Sequence, residues 1–223
     1  MLTVEFHCHT CYSKDSLVQP AALVDACRRK GIDRVMITDH NEIAGALEAQ
    51  RMDPQHVIIG EEVMTTQGEL LAAFVQERLP PDLSPSAAIA RLRLQGAFIS
   101  VSHPFDVTRR GSWQEKDLLA ILPLVDAIEV FNARCISSGA NSLANDFARQ
   151  HDLLGTVGSD AHSVRELGRA VLFLPEFHDA EGLRNALPQA DSRTILSSPF
   201  IHITSRWAVW YKKLWRQINL PVC

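Results

Sequence analysis

The chain has 223 residues, 46% of them hydrophobic and 22% charged, with a formal net charge of -4 at pH 7. That length suits one large α/β domain with a substantial core, and the balance excludes a disordered or fibrous chain. The negative charge argues against a long nucleic-acid duplex as partner, because such binding rests on phosphate neutralisation.

In chain order, Val4 to His9 reads as a strand, followed by a loop to Asp15. Ser16 to Lys30 has helical spacing through Leu17, Ala21, Val24 and Cys27, and Gly31 is a typical stop. Arg34 to Thr38 reads as a buried strand and Glu42 to Gln50 as a helix. Val57 to Ile59 begins a strand that reaches Glu61 and Glu62, and Thr66, Gln67 and Gly68 form a hairpin turn into Glu69 to Val75. Ser84 and Pro85 place an N-cap and a first-turn proline before a helix to Gln95. Strands are expected at Ala97 to Ser102, Ala127 to Phe131, Thr156 to Ser159 and Ala170 to Leu174. Helices are expected at Gln114 to Leu122 and around Asn141 to Gln150. Strands alternating with helices imply parallel β/α units and a compact, distorted barrel of about seven or eight strands.

The last segment, Ser205 to Gln217, differs. Trp207, Trp210, Tyr211, Leu214 and Trp215 fall on one helical face among basic residues. The expectation is a helix that caps the barrel or makes a homo-oligomer contact, with an anionic membrane or polymer as weaker readings. No stretch approaches the roughly 20 apolar residues of a membrane span, and no signal peptide is visible at the N-terminus. A cytoplasmic protein without membrane association is the expectation. The five cysteines, Cys8, Cys11, Cys27, Cys135 and Cys223, form no regular framework and read as reduced thiols. Cys8 alternates with His7 and His9 and so points away from them, into the wall.

The chemistry lies in five short clusters, each following or ending an apolar run: His7 and His9 with Asp15; Asp39 and His40; Glu61 and Glu62; His103; Asp160 and His162. His7 and His9 share one face of a strand, as two imidazoles gripping one cation require. Glu61 and Glu62 face opposite ways, so only one should join them. His103, before Pro104, is expected to be extended. Each cluster alone has an ordinary structural reading. Together they matter, because the strand ends of an α/β barrel converge on one face.

These segments, His7-Cys8-His9-Thr10, Thr38-Asp39-His40, Gly60-Glu61-Glu62, His103-Pro104 and Gly158-Ser159-Asp160-Ala161-His162, resemble the successive motifs of the PHP (polymerase and histidinol phosphatase) superfamily. Gly68-Glu69-Leu70-Leu71, His103-Pro104-Phe105-Asp106 and Glu129-Val130-Phe131-Asn132-Ala133-Arg134 are similar to a stand-alone bacterial subgroup. The resemblance implies a distorted (β/α)7 TIM-like barrel over residues 1–196, with a metal site at the C-terminal strand ends, and a C-terminal extension over 197–223. It further implies two or three divalent ions (zinc, manganese or iron, with magnesium an alternative) and hydrolysis of a phosphate ester. In its register His7, His9, Glu62 and Asp160 hold one ion, Glu62 bridges to a second bound by His103, and Asp15, His40 and His162 hold a third. Where several members carry a histidine after the bridging glutamate, this chain offers Glu69, an oxygen ligand that would favour harder ions.

Asp160 is expected to accept a proton from the attacking water, with His162 and His103 near the leaving oxygen. Arg109, Arg134 and Asn132 follow strand ends and are candidate substrate-binding residues. A guanidinium there could grip phosphate bidentately, or pair with a nearby acid. The expected substrate is a small phosphorylated metabolite or nucleotide. The alternatives are an exonuclease-type phosphodiesterase, metal-dependent hydrolysis of a C–N or C–O bond, and a non-catalytic metal-binding barrel acting through protein partners.

Overall fold

The computed structural model describes residues 1–136, 138–217 and 223, without the side chains of 138 and 215–217. Six strands run the same way: β1 (Leu2–Cys8), β2 (Arg34–Ile37), β3 (Val57–Met64), β5 (Phe98–Val101), β6 (Ala127–Asn132) and β7 (Leu154–Gly158). β4 (Glu69–Ala73) pairs antiparallel with both β3 and β5. β8 (Ala170–Leu174) and β9 (Asp191–Thr194) extend the sheet antiparallel beside β1, giving the order β7-β6-β5-β4-β3-β2-β1-β8-β9. Interleaved helices α1 (Pro20–Lys30), α2 (Ala44–Met52), α3 (Pro85–Leu94), α4 (Glu115–Ile121) and α5 (Ser138–Gln150) cover the strands, with α6 (Ala180–Ala186) and α7 (Ile201–Gln217) after them.

The reversal of β4 positions the site. With the six parallel strands delivering their C-terminal ends to one mouth, the inverted β4 between β3 and β5 presents its first residue there, and that residue is Glu69. The expected hairpin at 66–68 makes the reversal, placing β4 antiparallel among otherwise parallel β/α units. β3 continues through Glu61 and Glu62 to Met64, where it pairs with Glu69. The expected strand Ala170 to Leu174 is β8, while α6 and β9 had no expected counterpart. At the other end, Phe6, Met36, Ile58, Ala73, Phe98, Ala127 and Val157, from seven strands, form one buried cluster that also includes Leu183 of α6. Such burial contributes about 1.5–3 kcal/mol per large side chain.

The barrel nearly closes. β1 pairs with β8 through residues 2–4, while Cys8 bridges in parallel to Ala161, just beyond β7. Glu5 fills the fork between the two partnerships. Its carboxylate accepts from Ser159 N (3.0 Å), Ser159 Oγ (2.5 Å) and Gly168 N (2.8 Å). Burial nonetheless pushes Glu5 up to about 7.

Four local expectations are corrected. Helix α1 starts at Pro20, not Ser16, because Ser16 Oγ donates to the carbonyls of His9 (3.1 Å) and His162 (3.2 Å), tying the loop to the site. His103 is not extended: its φ is 20°, and its amide donates to Glu129 Oε2 at 2.8 Å, a bond that turns the chain into the mouth. Not all thiols are reduced, since Cys11 and Cys223 form a disulfide across a separation of 212 residues. The fold brings these thiols together with no spacing signal in the sequence, whereas Cys8, Cys27 and Cys135 are free and buried. Of the two expectations for the α7 stripe, packing on the barrel and a homo-oligomer contact, the first does not hold for Trp207 and Trp210. The buried residues of α7 are Ser205, Ala208 and Lys212, while Trp207 and Trp210 are 52% and 60% exposed. The side chain of Trp215 lies outside the described residues. The polar face wins because its partners are polar: Lys212 Nζ donates to Ser13 O (2.6 Å) and to Cys11 O, and Arg134 Nη2 donates to Ser205 Oγ (2.9 Å).

Candidate metal centre

Four residues from the ends of β1, β3 and β7 meet around one point. His7 Nε2 and His9 Nε2 are 3.1 Å apart. His7 Nε2 lies 3.4 Å from Glu62 Oε1 and 3.6 Å from Asp160 Oδ1. His9 Nε2 lies 3.4 Å from Glu62 Oε2 and 3.2 Å from Asp160 Oδ1. Tetrahedral ligands at about 2.0–2.1 Å from an ion stand about 3.3–3.4 Å from each other. The observed separations bracket that value.

Two neighbouring groups share these residues. His103 Nε2 is 3.1 Å from Glu62 Oε1 and 3.5 Å from Glu69 Oε2, and His40 Nδ1 is 2.9 Å from Glu62 Oε2. Asp15 Oδ1 faces His162 Nε2 at 3.3 Å and His40 Nε2 at 3.5 Å. Every ligand candidate read from the sequence is therefore brought together. Of the two adjacent glutamates, Glu61 turns away and accepts from Leu79 N at 3.2 Å.

The cluster fits divalent cations. Asp15 Oδ1, Glu62 Oε2 and Asp160 Oδ1 are buried and face imidazole nitrogens without a well-aligned hydrogen bond. Leaving such oxygens unpaired costs about 1–3 kcal/mol each, more when charged, unless a cation takes them. Around them, burial alone would lower His7, yet the carboxylates of Asp160, Glu62 and Glu129 hold it well above its ordinary value. Burial and the neighbouring His162 and His40 push His9 well down. Burial and the charge of Glu62 raise Glu69. Burial opposes ionisation of Asp160, but Arg109 and His7 outweigh it and hold the carboxyl well below the usual range.

The imidazoles are fixed from behind. His7 Nδ1 donates to Glu129 Oε1 at 2.9 Å, which leaves its Nε2 lone pair facing the cluster. His9 Nδ1 donates to Ser13 Oγ (3.0 Å), which donates in turn to Asp39 Oδ1 (2.6 Å). His162 Nδ1 donates to the carbonyl of Asp160 (2.8 Å), and Ser102 Oγ donates to Glu62 Oε1 (2.8 Å). Asp160 itself has φ 50°, a left-handed conformation uncommon outside glycine, and such strain concentrates at functional sites.

Over 180 residues, 79% of the chain, the sequence is 35% identical to an uncharacterized protein of Methanocaldococcus jannaschii, of which it covers 72%. A second uncharacterized protein of that organism is 33% identical over 156 residues, 64% of this chain and 89% of the relative. Residues 5–95 match the PHP domain and residues 138–191 the PHP-associated region. The chain belongs to the PHP domain family.

Solved structures share this PHP fold at lower identity. A protein from Bifidobacterium adolescentis assigned as a metal-dependent phosphoesterase superposes with TM-score 0.62 at 19% identity, over 83% of this chain and 96% of that one. PsfC from Pseudomonas syringae gives 0.67 at 19% identity, over 96% and 98%. The lesion-specific endonuclease EndoQ from Pyrococcus furiosus gives 0.63 at 15% identity, over 89% and 59%.

Beside the centre of this PHP domain lies a cleft of about 440 Å³. Of the candidate substrate-binding residues, Arg109 reaches both. Its Nη1 donates to Asp160 Oδ2 (2.5 Å) and its Nε to Asp106 Oδ2 (3.1 Å), while Nη2 has no partner. Asn132 is buried behind Asp160 and donates through Nδ2 to Asp160 Oδ2 (3.2 Å) and Glu129 Oε2 (3.1 Å). Arg134 lines the cleft, but its Nη1 and Nη2 are taken by Glu166 and Ser205, each at 2.9 Å. Glu129, Ser13 and Ser102 were missed as supports of the site; for Glu129 the signals were its charge inside an apolar strand and its place in the subgroup motif. His202 of α7 lines the cleft and donates from Nε2 to Arg134 O at 3.2 Å. No helix among the described residues is long and apolar enough to cross a membrane.

Proposed function

We infer that this PHP domain is a metal-dependent phosphoesterase that hydrolyses a phosphate ester of a small metabolite or nucleotide. One observation carries the reading: a guanidinium with an unpartnered Nη2, that of Arg109, holds Asp160, whose other oxygen is one of the unsatisfied carboxylate oxygens that converge with imidazoles. Divalent ions held by His7, His9, Asp15, His40, Glu62, Glu69, His103, Asp160 and His162 would acidify the attacking water and offset phosphoryl charge. Zinc, manganese and iron suit the imidazole-rich part of the set, and Glu69 adds hard-oxygen character that extends the range to magnesium.

The chain's own groups supply positioning. Arg109 and Asn132 hold Asp160 Oδ2, which keeps Oδ1 aimed at His7 and His9. Nη2 of Arg109 donates to a phosphoryl oxygen of the substrate. Of the two histidines expected near the leaving oxygen, His162 lines the cleft, where an ion it would hold with Asp15 and His40 would offset charge on that oxygen. His103, buried behind Glu62 and Glu69, holds the bridging carboxylate instead. The modest cleft favours a small substrate. A strand end carries the same phosphate group, so an exonuclease-type phosphodiesterase is the second reading, and the fold shared with an endonuclease supports it.

The test is metal analysis of the purified protein followed by turnover of aryl phosphate mono- and diesters. Metal-dependent phosphate release from monoesters is expected. Turnover of diesters alone selects the second reading. A protein that takes up divalent ions and cleaves neither ester class refutes both.

A further inference from the structure

Helix α7 turns its most apolar face away from the rest of the protein. Phe200, just before the helix, and Ile203, Trp207, Trp210 and Leu214 along it recur at i, i+3, i+7, i+10 and i+14, which aligns them on one side. All five are exposed, from 44% at Leu214 to 76% at Phe200. Ser205, Ala208 and Lys212, on the opposite side, are buried.

The roll of the helix is fixed, so this ridge is a built surface. Lys212 Nζ donates to Ser13 O (2.6 Å) and to Cys11 O, Arg134 Nη2 to Ser205 Oγ (2.9 Å), and His202 Nε2 to Arg134 O (3.2 Å). Turning the rings inward would break these bonds and strip the Lys212 ammonium of its carbonyls.

Charge selects what covers the ridge. Residues 192–223 hold five cations, Arg193, Arg206, Lys212, Lys213 and Arg216, and no Asp or Glu, whereas the rest of the chain has 17 cations against 26 acids. Arg206 and Lys213 are exposed and stand seven residues apart, so they flank the ridge along the same side. A second copy would bring the same cations, with no carboxylate on its own α7 to answer them. A nucleic-acid strand would stack on the rings but leave Ile203 and Leu214 uncovered. An anionic bilayer answers both features. Its acyl boundary accepts the ridge, Trp207 and Trp210 suit the headgroup level, and Arg206 and Lys213 reach lipid phosphates along their apolar stems.

We propose that the exposed ridge of α7 docks this protein on an anionic lipid bilayer, as a helix lying in the interface rather than crossing it. His202, Ser205 and Arg206 of the same helix line the cleft, so docking brings the rim of the cleft to the lipid surface. α7 lies outside both segments that match the family, residues 5–95 and 138–191, so this surface is the chain's own addition. The claim is independent of the phosphoesterase reading.

The experiment is co-sedimentation of the full chain with phosphatidylcholine vesicles, with and without about 30% phosphatidylserine. Binding is expected to be about tenfold or more stronger with phosphatidylserine. It should weaken between about 0.1 M and 1 M salt, as the Debye length shrinks from about 10 Å to about 3 Å. Trp207→Ala combined with Trp210→Ala is expected to cut partitioning about 100-fold, and Lys213→Gln about fivefold. Tryptophan emission should shift to the blue on vesicles in the wild type and stay put in the double variant. None of these three residues lines the cleft, and thermal melts matching the wild type establish that the variants fold. Binding that phosphatidylserine does not strengthen, or that survives in the double variant, overturns the proposal. So does a dimer in light scattering that the double variant abolishes, which would give the ridge to a second copy. Retention on single-stranded DNA without vesicle binding overturns it as well.

Discussion

Arg109 Nη1 lies 2.5 Å from Asp160 Oδ2, while the other oxygen of that carboxylate faces His7 and His9. One carboxylate thus joins the cation-binding cluster to the residue best placed to hold substrate. Asp160→Ala is expected to lower phosphoester turnover about 100-fold or more, because even outer partners of metal ligands are worth about 10–100-fold. Bound metal should fall in the same preparation. Turnover close to wild type at saturating manganese would remove Asp160 from the mechanism.

Glu129 acts through His7. Glu129→Gln keeps the shape but offers a neutral partner to His7 Nδ1 and alters the acceptor of the His103 amide, 2.8 Å away. The expected loss is about 10–100-fold in metal affinity. A chelator-competition titration measures it, and unchanged affinity would reduce Glu129 to a packing role.

Glu69 should set metal preference. Glu69→His replaces a hard oxygen with an imidazole and is expected to shift the zinc-to-manganese ratio upward in a competition loading experiment. Gly111→Ala tests the same carboxylate from the other side, since a Cβ there would stand 1.9 Å from Glu69 Oε2. The alanine must displace Glu69, so manganese uptake should fall while the four-residue cluster around His7 survives. Identical metal ratios in wild type and both variants would show that Glu69 is not a ligand.

Asp126 offers a stability test remote from the centre. Arg93 holds it at 2.7 and 2.9 Å, Arg184 Nε at 2.9 Å, and Ile99 N at 2.8 Å. Burial would raise this carboxyl, but the two guanidiniums outweigh it and hold it below its ordinary value. Its contribution is therefore present at neutral pH and is lost as pH falls through the lowered folded value. Asp126→Asn should destabilise by about 1–3 kcal/mol at pH 7. That deficit should shrink toward zero in denaturant unfolding at progressively lower pH. A deficit independent of pH would mean that the charge is not what stabilises.

Much of the centre was legible because its residues obey a two-residue alternation or sit at strand ends. His7 with His9, and Glu62 against Glu61, are of this kind. The rest required three dimensions. Glu129 is one residue in the middle of β6, and nothing in its neighbours marks it as the partner of His7. Glu69 was a candidate from family register alone; the hairpin signal at 66–68 implied that β4 runs backwards, but not that its first residue reaches the cluster. Arg134 and Arg109 look alike in sequence, yet Glu166 and Ser205 consume one guanidinium while the other keeps a free nitrogen. The aromatic periodicity of α7 was plain, but the small and basic residues between the rings became its contact face.

The near-closure of the barrel through Cys8 and Ala161 has a consequence for biogenesis. β1 leaves the ribosome early, carrying His7 and His9, long before Asp160 and His162 emerge. For that interval the cluster around His7 and His9 has Glu62 but lacks its second carboxylate, so cation loading of the full set is an event of the closed barrel rather than a nucleus for its folding.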